Sequence, residues 1–176
     1  GDLNGSTPIA RRVGTTQRVP VAHRRYLPAL PKARRRILVP EDLAGHNCIV
    51  YTELAMRNAW LFKAGPGAPE AVGTTRTVRV EGKLQTNSSE VIRAAVLSGM
   101  GLGYTPAWLF DDELARGEVQ RLLPDWQPLE VPIHLVSPRE RRHSAKARAF
   151  GDYVAQALAV VPLQTKKAAS GGVIVP

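Results

Sequence analysis

Two hydrophobic rhythms follow one another between positions 78 and 108. Val78, Val80, Leu84 and Thr86 fall on one parity and Arg79, Glu81, Lys83 and Gln85 on the other, the period-two pattern of a half-buried strand. Asn87 then stands where a helix cap belongs, and Glu90, three residues on, completes a capping box. Gly99 ends that helix, Gly101 and Gly103 flank a short buried strand, and Thr105 with Pro106 reads as the cap and first residue of a second helix. Two helix N-termini therefore follow two strand ends. In an open α/β sheet such loops line the binding crevice, because free N–H groups and helix dipoles point into it. Asn87, Ser88, Tyr104 and Thr105 are accordingly candidate site residues. Singly each reads as a cap or a packing residue; their convergence carries the functional reading.

The rest of the chain gives weaker signals. Residues 1–7 are turn chemistry without periodicity, and RVPVAH at 18–23 alternates as a strand in which Pro20 removes a donor, which suits an edge or crossover strand. Residues 32–40 form a basic, proline-bounded connector, Glu41 to Leu43 a helical turn, 47–51 a brief buried strand, and 64–75 a loop. Val119 to Trp126 leads through a bend into a strand with Val131, Ile133 and Leu135 on one side. Ser144 caps an amphipathic helix in which Ala147, Phe150, Val154, Ala157, Leu158 and Val161 share a face; Pro162 stops it before a tail. Asp111, Asp112 and Glu113 read as a solvated helix face.

Composition narrows the function classes. A hydrophobic content of 44% and a charged content of 22% are ordinary for a globular protein, and no apolar run reaches membrane-span length. The formal net charge of +9 invites a nucleic-acid reading, but the arginine clusters fall in loops, without a recognition helix or interleaved aromatic residues. His46 and Cys48 share a strand face, yet the remaining histidines are scattered, so no metal site is expected. The glycines at 99, 101 and 103 close a helix instead of opening one, which excludes a dinucleotide fingerprint, and Val96 breaks a nucleophile elbow around Ser98. Neither an enzyme nor a cofactor is expected. With one cysteine and no signal-peptide pattern in its first residues, the chain is assigned to the cytoplasm.

Several segments together resemble one family: GDLNGSTPIARR, RVPVAHRRYL, PEDLAGHNCIVYT, an isolated W-x-F at Trp60 and Phe62, VRVEGKLQTNSSEVIRAAVLSGMGLGYTPAW, LARGEVQRLLPDWQP and SAKARAFGDYV. In this order, over about residues 1 to 158, they resemble the effector-binding domain of LysR-type transcriptional regulators. The resemblance implies an α/β, periplasmic-binding-protein-like (type II) fold of two subdomains. The first would be incomplete, with 1–22 and 131–162 as its remnant; the second would span 23–130, and 163–176 would be a flexible tail. It further implies a regulatory domain that senses a small molecule in the cleft between subdomains, in a homo-oligomer (dimer or tetramer) that reaches DNA only through a winged helix-turn-helix absent from these residues. Because helix N-termini and a positive net charge favour anions, a small carboxylate is the expected effector. Its expected contacts are Asn87, Ser88, Tyr104 and Thr105 on one wall, and Ser6 and Thr7 opposite. The alternatives are a solute-binding protein of a transport system, which shares the fold but carries a signal peptide, and a small enzyme.

Overall fold

The structure, a computed structural model, describes residues 9–54, 56–127, 129–137 and 144–160. Ser6, Thr7, Val161 and the tail lie outside them. The chain divides into two compact units, Gly1–Thr15 with Pro132–Pro176 and Thr16–Val131.

The larger unit is layered about a sheet. Strands β1 (Ile9–His23, of which the residues to Thr15 belong to the smaller unit), β2 (Cys48–Tyr51), β5 (Gln85–Thr86), β6 (Leu102–Pro106) and β7 (Val119–Arg121) lie in the order β5-β2-β6-β1-β7, and β9 (Leu129–Ser137), which belongs to the smaller unit from Pro132 on, also pairs with β1. A second sheet holds β3 (Ala59–Ala64) between β4 (Thr75–Arg79) and β8 (Trp126–Gln127). One face of the first sheet packs Val19, Val21 and Ile49 against Ile92, Ala95 and Val96 of α1 (Ser89–Leu97) and against Phe110 just before α2 (Asp111–Ala115). The opposite face packs Ala22, Cys48, Val50 and Leu102 against Trp60, Phe62 and Trp126 of the second sheet. Each fully buried Val, Ile or Leu stabilises by about 1.5–3 kcal/mol, so these two cores hold the layers together. Gly103 makes the α1 side possible: a Cβ there would lie 2.9 Å from Val96 Cγ2.

The expected strand over 78–86 is two strands in two sheets, and Gly82 stands in the break. Val78 and Arg79 end β4, whereas the next residues run beside β2, where Cys48 N–H donates to Glu81 O and Val50 N–H to Leu84 O. Two residues of β2 thus face three of the passing segment, one more than a regular parallel ladder allows. Gly82 fits this passage because any Cβ would overlap the Cys48 carbonyl oxygen. The burial parity survives the break: Val78 and Val80 are buried, and Leu84 and Thr86 half-buried.

Other expectations are corrected in detail. Pro20 is not on an edge, since β1 lies between β6 and β7. Its carbonyl accepts from Leu122 N–H at 2.9 Å, and N and O of one strand residue face the same neighbour, so the missing donor faces the point where β7 has ended at Arg121. Glu113 is not solvated: it is buried and paired with Arg93, with Arg116 at 3.4 Å. Asp111 and Asp112 are exposed.

In the smaller unit, α3 (Ala145–Val160) is the expected helix with a shifted face. Ala147, Gly151, Val154 and Leu158 turn inward, while Phe150 and Tyr153 are 59% and 69% exposed and Ala157 is exposed. A hydrophobicity pattern favours the large Phe150; the helix instead approaches its neighbours along a row that includes a glycine.

Candidate functional site

Parallel pairing brings three strand ends to one edge of the larger unit. β2 pairs in parallel with both β5 and β6, with Tyr51 opposite Thr86, so the C-terminal ends of all three lie together. β1 runs antiparallel to β6, and its Arg18 stands opposite Pro106 at the same edge.

The predicted residues fare differently there. Asn87 is exposed in the turn between β5 and α1, but the cap is Ser88, whose Oγ accepts from Val91 N–H at 3.4 Å. Thr86 Oγ1 accepts from Ser88 N–H at 3.1 Å and sets the turn. The Tyr104 side chain turns into the core: its ring stacks on Trp60 at 5.0 Å and its hydroxyl donates to Leu61 O at 3.0 Å. Only its carbonyl serves the edge. Thr105 is no helix cap either. It is the penultimate residue of β6, the 3-10 turn after it starts beyond Pro106, and its fully buried Oγ1 has no hydrogen-bond partner among the described residues.

The residue-type reading missed Arg18. Its Nε and Nη2 donate to Tyr104 O at 3.3 and 3.1 Å, and its guanidinium lies over the Tyr51 ring, 5.1 Å from the centroid. It is 7% exposed, with no carboxylate at ion-pair distance among the described residues. Burial lowers its pKa, the Tyr104 and Tyr51 phenols oppose this, and arginine stays cationic. Two positions earlier on β1, the Thr16 Oγ1 is also buried without a partner among the described residues. The available signal was an arginine heading the apolar run Val19 to Ala22, where charge is costly.

Two cavities of the larger unit are lined by other residues. One of about 560 Å³ is lined by Gln17, Leu61, Phe62 and Lys63 among others. The other, about 410 Å³, includes Arg34, His46, Asn47 and Lys83. His46 Nδ1 is buried without a partner among the described residues, and burial followed by the Arg34 charge lowers its pKa against an opposing pull from Asp42. Cys48 is fully buried; its Sγ donates to Leu43 O at 3.6 Å, and burial pushes the thiol up to about 12, so thiolate chemistry is suppressed. Among the described residues no group of three or more His, Cys, Asp or Glu could hold a metal, and no helix is long and apolar enough to cross a membrane.

Residues 2–159 match the LysR substrate binding domain family. The chain is 34% identical over 134 residues to the HTH-type transcriptional regulator PtxR of Pseudomonas aeruginosa, covering 76% of this chain and 39% of PtxR. It thus spans well under half the length of that relative. Among solved structures it is similar to the regulatory domain of the C227S variant of AphB from Vibrio vulnificus (TM-score 0.65, 27% identity, 84% of this chain and 68% of that one). The regulatory domain of CrgA, a LysR-type transcriptional regulator from Neisseria meningitidis, gives a TM-score of 0.66 at 23% identity over 90% of this chain and 72% of that one, a likeness of fold.

Proposed function

Since the chain belongs to the family of LysR substrate-binding domains, we propose that it is the sensing part of a cytoplasmic transcription regulator, binding a small effector at the ends of β2, β5 and β6. Thr105 carries this reading. A fully buried hydroxyl without a partner destabilises a fold, and a strand-end position gives it a use when a ligand supplies the missing hydrogen bond. Ser88 and Asn87 border the same edge and Tyr104 contributes its carbonyl instead of its ring, while Ser6 and Thr7 lie outside the described residues. The proposed effector is a small carboxylate, and the net charge of +9 draws anions toward the molecule. In the whole regulator the domain works in a homo-oligomer and reaches DNA through a separate domain; it performs no catalysis and needs no cofactor. Effector binding shifts the balance between two arrangements of the protein, a coupling typically worth about 1–3 kcal/mol.

Thr105→Val tests this by its two opposite signs. Valine keeps the volume and removes the unsatisfied hydroxyl, so the unliganded chain gains about 1 kcal/mol in urea unfolding. The same change weakens the carboxylate found by calorimetry across a panel by roughly 0.5–1.5 kcal/mol. Lower stability with unchanged affinity would place the hydroxyl in the framework and remove it from the site.

A further inference from the structure

The α1 N-terminus does not by itself decide what charge the strand-end site accepts, because the exposed Glu90 already sits in its first turn and answers the dipole. The deciding charge lies on another element. We propose that Arg18 is the specificity-determining residue of the site, taking the carboxylate of the effector on the guanidinium edge left free between the ends of β2 and β6. This rests on the reading of the strand ends as the effector site and adds to it the group that selects the ligand class.

Arg18 is held in place before any ligand arrives. Two of its five N–H donors go to the Tyr104 carbonyl and its guanidinium carbon lies over Tyr51, which fixes its direction and leaves three N–H groups without a partner among the described residues. A fixed fork of donors matches the two oxygens of a carboxylate and loses little freedom on meeting them. A buried cation with no counter-charge is costly, and an anionic ligand removes that cost. A group on the same parity of β1 is also short of a partner: Thr16 Oγ1, two positions earlier, is buried without one among the described residues, whereas Thr105, opposite Val19, directs its hydroxyl to the other face of the sheet. An amide of the same shape would place its NH₂ against a cation. Arg18 therefore discriminates acid from amide and does more than secure one strand carbonyl.

Formate and formamide form the smallest acid and amide pair, suited to a site whose effector is unidentified. The experiment titrates each into the full chain at ionic strength matched with sodium chloride, followed by nitrogen-edited NMR. Formate is expected to give saturable shifts at Arg18 Nε–H and at the Tyr51 and Thr105 amides, and formamide none. Arg18→Gln, which keeps a hydrogen-bonding end without charge, should abolish the response. Arg18→Lys, which keeps charge without the fork, should weaken it about tenfold. Shifts no different from those of chloride, equal responses to formate and formamide, or unchanged affinity in Arg18→Gln would overturn the proposal. Should Arg18→Gln lose its dispersed spectrum, Arg18→Lys is the readout, and unchanged affinity there overturns it. If an uncharged effector is found whose binding Thr105→Val weakens, the anion assignment falls while the strand-end site stands.

Discussion

His46 shows how an environment gives a residue a consequence that its type does not announce. The side chain is 7% exposed and tilted against the Tyr26 ring at 5.9 Å, and burial holds its pKa below the usual 6.5. The unfolded chain takes up this proton near pH 6.5, whereas the folded chain does so only at lower pH, so below about 6.5 the unfolded state binds more protons. Stability from this residue is therefore complete above that pH and lost as pH falls through it toward the folded value. Urea midpoints measured between about pH 7 and 5.5 should fall in the parent and fall less in His46→Gln. Equal slopes in both would assign the loss to other groups. Sequence reasoning reached the buried strand that holds Cys48 but not the burial of His46, which shares no strand face with Cys48 because it caps the 3-10 turn before β2 begins. Arg18 was lost for the same reason: type and parity indicate that an arginine lies on a strand, but not that its head lies over Tyr51 with two bonds to one carbonyl.

At the scale of elements, the turn after β5 separates what a pattern can locate from what it cannot. Helix α1, the end near Gly99 and the buried strand around Gly103 were legible because capping chemistry and glycine leave marks in the sequence. The cap itself was displaced by one residue. Asn87 and Ser88 are both good capping types, and the choice falls to the β5–β2 register, which places Thr86 opposite Tyr51 and so starts the helix after Ser88. The break at Gly82 left no mark, because burial parity continues through it while the partner strand changes from β3 to β2. The cap assignment is open to measurement. Ser88→Ala should cost about 1 kcal/mol of unfolding free energy, and Asn87→Ala only a few tenths. The reverse order would restore Asn87 as the cap and move the start of α1 back by one residue.

For the molecule as a whole, the resemblance was carried by the order of its segments, and that order survives in an α/β, type II periplasmic-binding-protein-like fold. What the order could not convey is how unevenly the core is distributed. All of the buried hydrophobic residues among those described lie between Val19 and Trp126, whereas among the described residues of the smaller unit only Gly151 is buried. Inside the larger unit Val19, Val21, Ile49, Ile92, Leu102 and Phe110 lose almost all contact with water, so an opening there gives up many buried side chains at once. An opening of α3 exposes little more than Ala147, Val154 and Leu158, already half-exposed, and breaks one surface ion pair, Arg11 with Asp152 at 2.7 Å, worth at most about 1 kcal/mol. Local stability follows buried contacts, so the two units should not exchange amide hydrogens alike. Hydrogen exchange followed by NMR should find the slowest amides in β2, β6 and α1, and those of α3 exchanging at least about a hundredfold faster. Denaturant should accelerate the slow class steeply and the α3 class little, because a local opening exposes little new surface. If α3 and β6 instead share one rate and one denaturant slope, the smaller unit opens only with the larger, and buried area would fail as the measure of how stability is divided in this chain.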